Sequence, residues 1–307
     1  MRAKILFLTD RAAYREDLRL AQAALSELAV AFSQSFSMRE QVVDSSGALP
    51  DLAALAREHD TIILAGGQDF ISQAAMNMGA FAAGAEINRQ AVAPDLSRLK
   101  TGPAPALNLV WPLSDSPANI TKTAVLACSM AKAAGRLAYI NNGQGGNWAD
   151  AMNQAAMYAA LPAPRALSLD EALWGLLHAG ETVPVLAAPP IEAAMLRHLL
   201  TYLGGSENIQ HLSFYAEGRQ FQAVTPAANR QSLPFFSLLY ACALTVKQAL
   251  QLEREGDCLL TAVSNVLASG WRTREFGEGE KAIPRDEALD LVAQQVRLAG
   301  ELYEHLG

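Results

Sequence analysis

The chain has little that would tie it to nucleic acid, a membrane or a disulfide framework. Only 18% of its 307 residues are charged, and the formal net charge is −7. An acidic surface repels phosphate backbones, and no lysine–arginine cluster interleaved with aromatics offsets it, which excludes nucleic acid as a partner. The three cysteines, Cys128, Cys242 and Cys258, are odd in number, far apart and set in apolar helical surroundings. That usage predicts buried free thiols in a reduced compartment, not a disulfide or a zinc site. The longest apolar run, residues 233–246, is about 14 residues long and contains Pro234, whereas a membrane-spanning helix needs ~20. The opening "MRAKILFLTD" has too short an apolar run for a secretion signal. The expectation is a cytoplasmic protein with no membrane contact.

What is present is a globular composition, 51% apolar, long enough for two domains, since single cores stop growing near ~250–300 residues. Residues 4–8 form a short apolar run suited to a buried parallel strand, and Leu18, Ala21, Leu25, Leu28, Ala29 and Phe32 follow helical spacing. A second helix is predicted over 49–58 and a second strand over 61–65, closed by Gly66-Gly67. This strand–helix–helix–strand order implies a sheet with right-handed crossovers. Residues 71–106 read as a helix and an irregular link. Strands follow at 106–110, 137–140 and 183–187, with helices at 119–134, 149–160, 168–178 and 192–203. Ser168 and Glu171 make a capping-box pattern, and Gly135 a carboxyl-terminal cap. Residues 211–232 read as irregular or extended, and three helices, 234–253, 256–269 and 284–305, finish the chain.

Signals for chemistry are sparse. "NNGQGGN" (141–147) and "ILAGGQDF" (63–70) follow strands where a phosphate loop can lie, but neither has a following Lys-Ser/Thr nor the G-x-G-x-x-G spacing. Both read as turns, Asp69 being the one ionisable group in the second. His59, His178, His198, His211 and His305 are scattered without a second ligand at metal spacing, and no G-x-S-x-G elbow occurs. "VLAAPPIEAAMLRH" (185–198) is a strand running into a helix, where α/β enzymes keep reactive groups. Yet Ala193 and Ala194 stand at the helix start, with only Glu192, Arg197 and His198 as polar neighbours.

Four segments, taken in order, resemble the isopropylmalate and isocitrate (β-decarboxylating) dehydrogenase family. They are "SGALPDLAALAREHDTIILAGG" (46–67), "ITKTAVLACSMAKAAGRLAYINN" (120–142), "SLPFFSLLYACALTV" (232–246) and "AVSNVLASGWRTREFG" (262–277). The resemblance implies a two-domain α/β fold with mixed sheets flanked by helices. Residues 1–99 plus 212–307 would form one domain, and 100–211 a middle domain carrying a dimer interface. Members of that family oxidise a 2-hydroxy acid with NAD or NADP and decarboxylate it with Mg²⁺ or Mn²⁺ held by aspartates.

Carried over residue by residue, most of that machinery is missing. Anchored on "GGS" (204–206), Ala194 and His198 stand at two metal-aspartate positions, leaving Asp170 as the one surviving carboxylate. Hard divalent ions want several carboxylate oxygens. The family's acid–base lysine falls on Asn141 or Asn142, and an amide cannot exchange a proton near neutral pH. Its substrate-gripping arginine becomes Trp111. The first cofactor loop keeps Asp10 and little else, Gly66 and Gly67 remain after the second strand, and the adenine-side loop aligns with Gln220 to Asn229.

The expectation is therefore a catalytically inactive family member needing no cofactor. It would act as a regulatory or structural partner or a small-ligand binder, as a homodimer or in a hetero-oligomer with an active paralogue. NAD, NADP and Mg²⁺ or Mn²⁺ would enter only if the family activity survives. The alternative is an active oxidoreductase, or another enzyme, with repurposed chemistry around Asp10, Asp69, Asp170 and His198.

Overall fold

The computed structural model describes residues 1–43, 51–87, 107–141, 143, 146–177, 183–204, 211–226, 232–273 and 281–306. In chain order the elements are β1 (Arg2–Thr9), α1 (Arg15–Ala31), β2 (Ser35–Val42), α2 (Leu52–Glu58), β3 (Thr61–Ala65), α3 (Gln68–Asn77), β4 (Ala82–Ile87) and β5 (Leu107–Pro112). Next come α4 (Pro117–Ala134), β6 (Leu137–Ile140), α5 (Gly146–Tyr158), β7 (Arg165–Leu167), α6 (Leu169–Leu177), β8 (Val185–Ala187) and α7 (Pro190–Gly204). The chain closes with β9 (His211–Ala216), β10 (Arg219–Val224), α8 (Phe235–Leu244), α9 (Glu253–Ala268), β11 (Arg272–Thr273), β12 (Ala282–Ile283) and α10 (Arg285–Leu306). The fold is α/β: ten strands form a mixed sheet in the order β2-β1-β3-β10-β9-β4-β5-β8-β6-β7, and β11 pairs with β12. Chain contacts divide the protein into two compact units. One is Met1–Gly79 with Gln210–Ser213 and Glu217–Gly307, and the other is Ala80–Ile209 with Phe214–Ala216.

In the first unit β1 runs parallel to both β2 and β3. Residues Ile5 to Thr9 are buried without a break, as a parallel strand covered on both faces must be. Its apolar core gathers α1, α8, α9 and α10. All ten residues of α8 are buried, so this helix has no solvent face. Asp17 on α1 is 3% exposed and accepts a 2.9 Å hydrogen bond from the Leu233 amide. Arg285, the first residue of α10, forms an ion pair with Asp17 and donates to the Leu233 carbonyl at 3.2 Å. One buried carboxylate thus holds the start of α10 and the approach to α8 against α1.

In the second unit β5, β8, β6 and β7 are parallel, and β4 is antiparallel to β5. Small residues let helices lie close on both faces: Ala124, Ala127, Ala131, Ala155 and Ala156 from α4 and α5 on one, Ala172 and Ala193 from α6 and α7 on the other. Capping follows the local sequence. Ser116 accepts from the Asn119 amide at 3.3 Å with Pro117 in the first turn, and Gly135 ends α4 at φ +84°. Ser168 and Glu171 exchange the two expected hydrogen bonds, at 2.7 and 3.1 Å.

Several expectations need correction. The span between the first two helices contains β2, whose sequence SFSMREQV lacks an apolar block because it lies at the end of the strand order, half-buried. Asp51 lies outside the second helix as its cap, accepting from the Ala54 amide at 2.9 Å. β4 is a strand within the stretch expected to be a helix and an irregular link, and β7 lies between the helices expected at 149–160 and 168–178. Residues 211–224 form two strands turning at Gly218, whose φ is +69°. The long helix expected over 234–253 stops as α-helix at Leu244 and continues as one π turn, Thr245–Ala249. The three cysteines are free and buried.

Candidate functional site

A doubly wound sheet binds ligands outside the carboxyl ends of its strands, where the order reverses. Here β1 is flanked by β2 on one side and β3 on the other, so the reversal lies between the ends of β1 and β3. Three predicted residues, Asp10, Gly66 and Gly67, meet at that point. Asp10 Oδ2 accepts a 3.1 Å hydrogen bond from the Gly67 amide, at the amino-terminal cap of α3. The Gly66 amide is turned away, donating to the Val224 carbonyl at 3.1 Å. A Cβ on Gly66 would stand 2.5 Å from Asp10 Oδ1 and 2.7 Å from the Phe70 ring, so a larger residue there would push the carboxylate and the ring aside.

The electrostatics follow from this geometry. A helix amino terminus attracts an anion, and in this protein the anion is the chain's own carboxylate. Asp69 in the same first turn adds a second negative charge. A phosphate would have to displace Asp10 and then face Asp69. Nearby, Tyr14 is fully buried; burial raises its phenol pKa, Arg11 opposes the shift and Asp10 adds to it. The arrangement ties a turn together. Asp10→Ala is expected to cost about 0.5–2 kcal/mol of stability, the range for losing a helix cap, while Asp10→Asn keeps an acceptor and costs less. Urea unfolding of the two variants checks the difference.

The other predicted residues that the structure describes have local roles of their own. Asn141 Oδ1 accepts from the Gly143 amide at 3.1 Å and its own amide donates to Leu167, a turn closure. Asn142 and Asn229 lie outside the described residues. Gln220 donates to Gln248 on the π turn, which also accepts from Gln222 at 3.3 Å, and Gln222 in turn accepts from Ser213 at 2.8 Å. Asp170 is exposed in the first turn of α6, where it complements the helix dipole. Ala194 and His198 are exposed one turn apart on α7, while Ala193 is fully buried against the sheet. The alanine at the head of α7 is there for close packing. Among the described residues no three His, Cys, Asp or Glu side chains gather around a common point, and no helix is long and apolar enough to cross a membrane.

Periodicity did not mark a different class of residue, large apolar side chains left in water. In the second unit Tyr158 is 84% exposed, Ile191 73% and Trp174 64%, with Met157 and Met195 also exposed. Ile191 and Met195 share one face of α7 by their spacing.

No protein-family model matches this chain, and no curated protein does. Among solved structures it is similar to a chain in the cryo-EM structure of the Euglena gracilis mitochondrial ATP synthase peripheral stalk in rotational state 1. The TM-score is 0.69 at 14% identity, over 96% of this chain and 99% of that one. That finding overturns the resemblance to the isopropylmalate and isocitrate dehydrogenases, and with it the reading as an inactive or repurposed oxidoreductase. Where they are described, the four segments that carried the resemblance are buried strands and helices packed on a core, one of them buried all round, a pattern that packing imposes on any α/β chain. At this identity, the likeness to the stalk chain establishes a shared fold.

Proposed function

We propose that this chain is a structural subunit of a hetero-oligomeric assembly, built as a scaffold and not as an enzyme, in the manner of a peripheral-stalk chain of ATP synthase. The observation that carries the reading is the end-to-end likeness to the stalk chain, which leaves almost nothing of either chain uncovered. The site geometry supports it. At the crevice where this architecture would seat a ligand, the Asp10 carboxylate holds the amino-terminal cap of α3, and the helices of the second unit present Trp174, Ile191 and Tyr158 to solvent. Large exposed apolar side chains are what a subunit covers on assembly. On this reading the chain needs neither nucleotide nor metal, its partners are other proteins, and its compartment is that of its assembly.

The test is native electrophoresis of the chain at its natural level, followed by mass spectrometry of the band. The expected result is migration far above the chain's own 32.8 kDa, together with other proteins, ATP synthase subunits being the first to look for. Migration as a monomer or as a pure homo-oligomer would count against the proposal.

A further inference from the structure

The ends of α1 and α10 meet on the surface of the first unit. A Cβ on Gly300 would stand 2.9 Å from both the Cβ and the carbonyl oxygen of Ala31, so the two helices approach closely there. Beside this contact lie the rings of Phe32 and Tyr303, tilted by 51° with centroids 5.6 Å apart. Arg254, in the first turn of α9, lays its guanidinium over both, 5.1 Å from the Phe32 centroid and 4.2 Å from that of Tyr303. Val30 and Leu302 are 80% and 63% exposed next to this cluster, and Arg254 is exposed too. Neighbouring charges are engaged elsewhere. Glu255 is buried and accepts a 2.7 Å hydrogen bond from Gln34 Nε2, and Arg297 pairs with Glu27 at 3.8 Å. Among the described residues no carboxylate pairs with Arg254, and no acceptor takes its N–H groups.

Stacking on the two rings holds this cation in place but uses none of its hydrogen-bond donors. The N–H fork is left to water, and its geometry fits a carboxylate through two parallel hydrogen bonds. An arginine and a tyrosine among large exposed apolar side chains is also the make-up of a protein interface core. We propose that a partner subunit docks on this surface through a carboxylate carried among apolar residues, with Arg254 as its anchor. Charge complementarity selects that occupant. A basic segment would meet the guanidinium with like charge, and a purely apolar one would cover it without an acceptor. The inference rests on the reading of the chain as an assembly subunit and names the chemistry of one of its contacts.

The experiment uses the full chain in its own cells, with a photo-reactive amino acid in place of Val30 or of Leu302. The same group replaces the exposed Met76 on α3 and Met157 on α5 in parallel. Illumination is expected to join position 30 or 302 to a partner peptide that carries Asp or Glu among apolar residues. Arg254→Glu is expected to reduce that product about tenfold or more. The milder Arg254→Gln should lower it in the same direction, and melting curves check that both variants are folded. Capture at 30 and 302 of only a second copy of this chain, a peptide without Asp or Glu, lipid or nucleic acid would overturn the inference. A yield unmoved in the folded variants, or silence at both positions, would do the same. Native electrophoresis then separates the two readings. Migration in a large complex leaves the subunit reading standing, whereas migration as a monomer or pure homo-oligomer removes both.

Discussion

Asp17→Ala is expected to destabilise the protein by about 3–5 kcal/mol, the cost of breaking a buried ion pair from one side. Asp17 is 3% exposed and makes two contacts, the ion pair with Arg285 and the hydrogen bond from the Leu233 amide. Removing it leaves a guanidinium in a site whose burial already lowers its pKa, with Glu16 as an opposing influence. Asp17→Asn keeps an acceptor for the Leu233 amide and loses the charge, so it should fall between alanine and the native residue. Removing both partners with apolar replacements, Asp17→Leu with Arg285→Met, should cost less than the sum of the single changes, because neither charge is left alone. Urea midpoints for the four proteins complete the cycle. A loss under about 1 kcal/mol for Asp17→Ala, typical of a surface pair, would mean that this node does not hold the helices together.

Gly256→Val should be nearly as costly, about 3 kcal/mol. Gly256 lies early in α9 against the π turn, and a Cβ there would stand 2.4 Å from the Lys247 Cβ and 2.8 Å from its Cα and amide nitrogen. Those neighbours are backbone or rigidly attached to it, so no rotamer change clears the space. Even alanine should destabilise, although exchanging glycine for alanine inside a helix is worth about 1 kcal/mol in the other direction. Gly175 in α6 supplies the control, because a Cβ there would meet nothing within 4 Å. Gly175→Ala is expected to stabilise by up to about 1 kcal/mol, giving the same substitution opposite signs at two helical glycines. Matching signs would show that helix propensity, and not the close approach of the π turn, decides the outcome at position 256.

The first unit was largely legible wherever burial wrote itself into an apolar pattern. The runs at 4–8 and 61–65 became β1 and β3, and the spacing from Leu18 to Leu28 became the buried face of α1. Caps with a local chemical signature, Ser168 with Glu171 and Gly135 after α4, fell where side-chain hydrogen bonding requires them. What escaped was half-buried or set by distant partners. β2 alternates exposed and half-buried residues at the end of the strand order, and the π turn arises where Gly256 of α9 presses on Lys247. The site was partly legible as well. Asp10, Gly66 and Gly67 do converge, but their closure on one another depends on a contact 57 residues apart, which no local pattern encodes. Family identity was the weakest inference, because short amphipathic segments report the layer they pack in and not the lineage they come from.

The central claim is that the chain supports an assembly by its shape and surface, not by chemistry. Its most direct test is to delete the chain from cells and restore it as a variant carrying Asp10→Asn, Asp170→Asn and His198→Ala, then resolve the assembly by native electrophoresis. The account predicts that the assembly is lost on deletion and that the triple variant restores it as fully as the native chain. An assembly that stays intact without the chain, or one that a folded triple variant cannot restore, would contradict it.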